Sequence, residues 1–281
     1  MSEKLPVIAA VPNYNMADSL KELVPSLLEG GYDDIYVLDD ASTDHSRDVL
    51  EGFETDITPV FGRENVGSGA NRNRIIAALG HKATVHFIDA DMKLETNNPA
   101  ANVREWMDRP DIGFTGGLIK NLDGSQQLFN YGPRQCFYTD SRWFLLMGVH
   151  TLSAKRPELT KKLLGQFSSS LNGWPNPYDT PTERQVFWAA EANFAIDSEV
   201  LEKLGGFDSN MRAQEILEFS MRVRSAGLNG WFNPNVAATH KALQVRSGNR
   251  SVSDVKNMAY TIRKHGLRNY VKPEGKFKPQ I

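Results

Sequence analysis

The sequence predicts an α/β fold with a mostly parallel central sheet flanked by helices, on three observations. Apolar strand-like runs alternate with segments of helical periodicity over the first third of the chain, the pattern of parallel strands joined by crossover helices. Polar clusters close three of these runs, at Pro12 to Asn15, Asp39 to Asp44 and Asp89 to Asp91, and open parallel sheets bind ligands outside the carboxyl ends of their strands. The length of 281 residues, 40% hydrophobic and 23% charged, suffices for a sizeable core in one large domain or two small ones.

Leu5 to Val11 is mainly apolar, interrupted by Pro6, and reads as the first strand. Ala17 to Leu28 carries apolar residues at helical spacing and stops at Gly30-Gly31. Ile35 to Leu38 is a second strand, closed by Asp39-Asp40. Thr43 or Asp44 caps a short helix through Phe53, because both side chains can accept an orphan backbone N–H. Thr58 to Phe61 is a third strand, Gly69 to Leu79 a helix, and Thr84 to Ile88 a fourth strand running into Asp89-Ala90-Asp91. Ile112 to Leu118 is a further strand in which Gly116-Gly117 implies close backbone approach. Residues 120 to 187 are rich in aromatics, glycine and proline, with a helical stretch near Glu158 to Leu164. Order returns with a strand at Trp188 to Ile196, a helix at Ser198 to Leu204 stopped by Gly205-Gly206, and another at Ala213 to Ser225 stopped by Gly227. Asn235 to Ala238 is strand-like and leads to His240; Val252 to His265 is a last helix.

Composition excludes several classes. With 22 glycines, 14 prolines and no fixed period, the chain is neither disordered nor a solenoid. Its longest apolar run, Phe144 to Val149, is far short of the roughly 20 residues a spanning helix needs. The amino terminus lacks the basic start and apolar core of a signal peptide, so a cytoplasmic location is expected. One cysteine, Cys136, can form neither an intramolecular disulfide nor, by itself, a zinc site. The net charge of −2 is uneven: after His240 stand ten Lys and Arg against Asp254 and Glu274. That basic tail is either a solvated face or a surface for phosphates or an anionic membrane; no nucleic-acid partner is expected.

Asp89-Ala90-Asp91 puts two carboxylates on one side of an extended segment, since residues two apart point the same way. Hard divalent cations take carboxylate oxygens and keep positions for substrate phosphates. Gly67-Ser68-Gly69 has Arg72 where a dinucleotide fingerprint needs its third glycine, and there is no P-loop lysine motif. Dehydrogenase and NTPase readings therefore fall.

Taken in order, Val11-Pro12-Asn13-Tyr14-Asn15, Leu38-Asp39-Asp40-Ala41-Ser42-Thr43-Asp44, Asn65-Val66-Gly67 with Asn71-Arg72-Asn73, and Asp89-Ala90-Asp91 resemble the nucleotide-sugar half of family 2 glycosyltransferases with the GT-A fold. The resemblance covers roughly residues 5 to 120. It continues more loosely through Glu191-Ala192-Asn193-Phe194, Leu204-Gly205-Gly206-Phe207-Asp208, Glu215 to Arg222 and His240. It implies one GT-A domain, Rossmann-like, with a nucleotide-sugar half at 1–120, an acceptor half at 121–250 and a basic helix and tail at 251–281. It implies a metal-dependent sugar transfer from a nucleotide diphosphate, usually UDP, to a saccharide, lipid-linked or protein hydroxyl. Pro12 and Tyr14 would line the base pocket, with Asn15 and Asp39 beside them, and Asp40 would accept a hydrogen bond from the base. Arg72 and Asn73 would face the donor, with Asp89 and Ala90 at the ribose. Asp89, Asp91 and His240 would hold Mn²⁺ or Mg²⁺.

One departure stands out. Inverting relatives carry Glu-Asp at the start of the acceptor-side helix, the Asp being the general base, and here the expected Asp is Ile216. Isoleucine takes no proton, so the resemblance leaves Glu215 or Glu218 as the base, or a reaction that needs none. The stretch is also similar to that of polypeptide N-acetylgalactosaminyltransferases, which retain configuration. A catalytically silent nucleotide-sugar or glycan-binding relative is the alternative.

Overall fold

The first apolar run becomes β1 (Val7–Asn13), buried along almost its whole length because strands lie on both sides of it. In the computed structural model of the chain, residues 4–134, 136, 139, 158, 162, 173–175, 177, 179–212, 214–241 and 250–267 are described, those at 250–254 by backbone alone. β1 pairs in parallel with β2 (Asp34–Asp39) and with β4 (Thr84–Ile88), and β2 pairs in parallel with β3 (Thr58–Phe61). Helix α1 (Ala17–Leu28) buries Leu20, Leu23, Val24 and Leu27, one stripe of a 3.6-residue period, against one face of this sheet. Helix α2 (Ser46–Glu51) follows β2.

The helix expected over Gly69 to Leu79 is two short ones, α3 (Ser68–Arg72) and α4 (Arg74–Ala78). At the join, Ile76 N–H bonds the Asn73 carbonyl three residues back at 3.0 Å, which tightens the turn. After β4 come β5 (Met92–Leu94), α5 (Pro99–Met107) and β6 (Ile112–Lys120). Then follow the short β7 (Tyr131–Gly132), β8 (Arg184–Val186) and β9 (Trp188–Ala189). β10 (Asn193–Asp197), α6 (Ser198–Lys203), α7 (Glu215–Ser225), β11 (Asn229–His240) and α8 (Arg250–His265) complete the described elements. The helical stretch expected near Glu158 to Leu164 lies outside the described residues apart from residues 158 and 162.

The main sheet runs β3-β2-β1-β4-β10-β6-β11-β5, with β8 also on β11. β10 is antiparallel to both β4 and β6, so a parallel half and a mixed half meet along it. The strand expected over Trp188 to Ile196 is therefore divided. β9 pairs with β7 in a small second sheet, the chain turns at 190–192, and β10 enters the main sheet. The two glycines of β6 make this passage possible: a Cβ on Gly116 would lie 2.2 Å from that of Ala189, and one on Gly117 would lie 2.3 Å from the Asn193 amide nitrogen. An aromatic core of Phe87, Phe114, Phe194, Phe207, Phe219 and Phe232 fills the space between the sheet and α7.

Beneath the junction of the halves, His86 is buried between Tyr32 and Asn193. Its Nδ1 lies 2.8 Å from the Tyr32 hydroxyl and its Nε2 2.8 Å from Asn193 Oδ1. Burial pushes its pKa down to about 4, the Asn193 bond opposing the shift only in part, so the ring is neutral in the folded protein. Below pH about 6.5 the unfolded chain binds a proton that the folded one refuses, and stability falls until the folded ring titrates near pH 4. The loss integrates to about 3 kcal/mol. His86→Gln is expected to flatten the decline in Tm between pH 6.5 and 4 relative to the wild type, as measured by thermal denaturation across that range.

Candidate active site

The three polar clusters lie at the carboxyl ends of β1, β2 and β4, and side chains lace the first two together. Asn13 Nδ2 donates to Asp39 Oδ1 at 2.8 Å and to Ser42 Oγ at 3.2 Å. Asn15 Oδ1 accepts from Thr43 N–H at 2.7 Å, its own N–H donates to Ser42 Oγ at 2.9 Å, and Ala17 N–H donates to Asp44 Oδ2 at 3.0 Å. Asn15 and Ala41 both hold left-handed backbone, φ 54° and 60°, a strained state that persists where the surroundings enforce it and that gathers at functional loops. Pro12, near the end of β1, and Tyr14, on the loop after it, are half-buried, and Ala90 is buried beside Asp89.

Several expected donor contacts already have partners within the chain. Both Asp40 oxygens are engaged, Oδ1 by Val66 N–H (3.0 Å) and Arg74 (3.1 Å) and Oδ2 by Gly67 N–H (2.9 Å), so this carboxylate shapes the 65–67 turn. Asn73 is tied at both ends of its amide to the Phe207 backbone, each bond 2.7 Å. Asp39 is held by Asn13 and by Ser42, whose N–H and hydroxyl both donate to it.

The Asp89-Ala90-Asp91 carboxylates divide their work. Asp89 Oδ1 accepts from Arg72 Nη2 at 2.5 Å. Arg72 is almost wholly buried, and its Nε–H has no hydrogen-bond partner, an orphan donor of the sort found where a ligand oxygen binds. Asp91 Oδ2 instead lies 3.2 Å from His240 Nε2, and Gln127 Nε2 lies 2.9 Å from His240 Nδ1. A cation between Asp91 and His240 needs Nε2 without its proton, which the Gln127 amide allows when its oxygen, in place of its nitrogen, meets Nδ1–H. One carboxylate and one imidazole suit a divalent cation, and Asp89, turned to Arg72, stands apart from that pair. Among the described residues no group of three or more His, Cys, Asp and Glu side chains is placed to hold a metal ion, so an ion between Asp91 and His240 would keep positions for phosphate oxygens.

On the acceptor side, the helix expected from Ala213 begins at Glu215, because Gln214 sits in left-handed backbone at φ 60°. Ile216, where an aspartate was expected, packs into the aromatic core and is 4% exposed. Glu215 is also buried and reaches across to α3, accepting from Ser68 Oγ at 3.3 Å and Gly69 N–H at 3.2 Å. Glu218 is 0% exposed and points away into a charge network. Arg222 Nε donates to both of its oxygens at 3.0 Å, Arg222 Nη2 to one at 2.7 Å, and Lys264 and His265 of α8 each approach to 2.9 Å. Burial alone would raise the Glu218 pKa, but the Arg222 and Lys264 hydrogen bonds hold it below the usual value. The structure thus gives Glu218 the task of anchoring α8, in place of the solvent-facing position a base toward an acceptor requires.

Glu191 falls within the looser part of the resemblance, which gave it no role. It lies in the turn between β9 and β10, where Ala192 C=O accepts the Asp89 N–H at 3.1 Å. Burial raises its pKa, Arg72 pulls it down, and Glu215 and Asp89 push it up, so it faces the same cluster. A glutamate in the middle of an apolar run, Trp188-Ala189-Ala190-Glu191-Ala192, was the signal available in the sequence.

A half-parallel sheet with polar clusters at its strand ends and a helix, α7, packed over its mixed half is the architecture of the GT-A glycosyltransferase class. The sequence pattern of glycosyl transferase family 2 matches residues 8–151, and the chain belongs to that family. TuaG of Bacillus subtilis (strain 168), assigned to teichuronic acid biosynthesis as a glycosyltransferase, is 26% identical over 166 residues, which are 56% of this chain and 66% of TuaG. The mannosyltransferase PcManGT from Pyrobaculum calidifontis, solved with GDP-Man and Mn²⁺, superposes with TM-score 0.59 at 17% identity, over 94% of this chain and 65% of that one. GalNAc-T7, solved with UDP, GalNAc and Mn²⁺, gives 0.59 at 14% identity, over 94% and 48%. S. aureus TarS (1–349) with UDP gives 0.54 at 15% identity, over 84% and 60%. The chain thus spans about two thirds or less of the length of these proteins.

Glu218→Ala should lower stability by about 3 kcal/mol, the usual scale for breaking a buried ion pair from one side. Chemical denaturation measures the loss, and hydrogen exchange should show α8 opening ahead of the main sheet.

Proposed function

We propose that the chain transfers a sugar from a nucleoside-diphosphate donor, of the uridine type, to a hydroxyl of a saccharide, lipid-linked or protein acceptor. The observation that carries this reading is the pairing of Asp91 with His240 beside that of Asp89 with Arg72, at the end of β4 in a family 2 chain. Pro12 and Tyr14 line the base pocket, and Asp40 sets its rim by holding the turn at Val66 and Gly67. Asp89 and Ala90 meet the ribose, and Arg72 brings a buried positive charge to the donor phosphates. Asp91 and His240 hold Mn²⁺ or Mg²⁺, which when bound supplies Lewis-acid neutralisation of the departing diphosphate. Asn15, Asp39 and Asn73 keep the walls in place through the bonds described above.

Among the described residues no helix is long and apolar enough to cross a membrane. Contact with an anionic membrane would fall to α8, where Lys256 and Arg263 are exposed beside Val255. A silent sugar-binding relative is the second reading, favoured by the core position of Ile216.

Native-state ligands raise apparent stability. UDP with Mn²⁺ should therefore raise Tm more than UDP with EDTA, and more than GDP with Mn²⁺. Asp91→Asn should retain the fold, lose the Mn²⁺-dependent increment and lose release of UDP from UDP-sugars. Turnover by the wild type that persists in excess EDTA would overturn the metal assignment. Absence of UDP release from every UDP-sugar and of GDP release from GDP-mannose would favour the silent binder.

A further inference from the structure

Three carboxylates lie on the acceptor side of the Arg72–Asp89 pair, and the structure leaves them differently engaged. Glu218 is sealed under Arg222, Lys264 and His265. Glu215 is 2% exposed and is bonded to Ser68 and Gly69; a Cβ added to Gly69 would lie only 2.8 Å from Glu215 Cγ, so the side chain is wedged against α3. Glu191 is the least buried of the three, and among the described residues none is hydrogen-bonded to its carboxylate. Its backbone is fixed to the donor cluster through the Ala192–Asp89 bond, and the glycines of β6 hold the residues on both sides of its turn. A carboxylate so placed is partly open to solvent and lies within the field of the Arg72 guanidinium.

From this placement we infer that Glu191 is the general base of the transfer, standing in for the carboxylate that Ile216 cannot supply. The inference rests on the sugar-transfer reading above. The acceptor oxygen forms a bond to the anomeric carbon as the bond from that carbon to the diphosphate oxygen breaks. The electron pair of the broken bond goes to the diphosphate, and the acceptor proton goes to the Glu191 carboxylate, which later returns it to solvent. Attack from the face opposite the leaving group inverts the anomeric centre.

The test uses the full chain with Mn²⁺ and UDP-glucose, UDP-N-acetylglucosamine or GDP-mannose, whichever the wild type hydrolyses fastest, with water as acceptor and nucleoside-diphosphate release as the signal. Glu191→Gln and Glu191→Ala should cut release about 10²–10⁴-fold, the usual contribution of a positioned base, while binding of the nucleoside diphosphate stays within threefold of wild type. Azide is a nucleophile with no proton to give up. It should restore turnover to Glu191→Ala, with a glycosyl azide of inverted configuration as product by NMR, and should change the wild type little. Near-wild-type hydrolysis in both variants overturns the assignment. So does loss without azide rescue, which would make Glu191 a positioning residue for Arg72, and so does a wild-type product of retained configuration. A wild type that binds the nucleotide but hydrolyses none of the three donors fails differently, overturning the transfer reading itself.

Discussion

One buried guanidinium organises the site. Arg72 is removed from water on a short helix, and three carboxylates surround it: Asp89 in direct contact, with Glu191 and Glu215 close enough to raise its pKa against the opposing effect of burial. An unpaired buried cation would cost several kcal/mol, so α3, the end of β4, the β9–β10 turn and the start of α7 are held in mutual register by a common charge. These elements are far apart in sequence and come from both halves of the chain. The seam between the parallel half and the mixed half is therefore electrostatic at its centre and aromatic around it.

Around that centre the loops are fixed before any ligand arrives. Asn13, Asn15, Ser42, Asp44 and Asp40 spend their hydrogen bonds on one another and on loop backbone, which supports the left-handed conformations of Asn15 and Ala41. Preorganisation of this kind lowers the ordering cost of binding. It also explains why residues that resemble ligand-binding positions are here bonded mainly to protein.

The parallel half was legible because each strand is buried on both faces and reads as an apolar run, and each run ends in a polar cluster. Ala17–Leu28 has the same limits in sequence and structure for the same reason: a single apolar stripe ended by two glycines. What escaped notice depends on tertiary partners. Trp188 to Ile196 is apolar enough for one strand, yet only the two-glycine gap in β6 decides that it divides between sheets. Glu215 and Glu218 share a helix face in sequence, but the lysine and histidine that capture Glu218 arrive from residues 264 and 265. Helix α5 did carry a local mark, Asn98 capping the Ala101 N–H ahead of Pro99, although its apolar stripe is weak. His240 was legible by its order in the chain, whereas Gln127, which fixes its ring, lies in a stretch with no regular pattern.

The clasp of α8 on Glu218 also sets an order of events during synthesis. Helix α7 is complete by Ser225, but its buried glutamate has only Arg222 as a counter-charge until Lys264 and His265 have emerged. Because Glu215 and Glu218 belong to the same short helix, the wall that meets α3 inherits the wait. The parallel strands β1 to β4 are complete by Ile88, whereas α7 gains the rest of these counter-charges only when α8 docks. The order of this wall thus depends on residues that emerge well after the helix they steady.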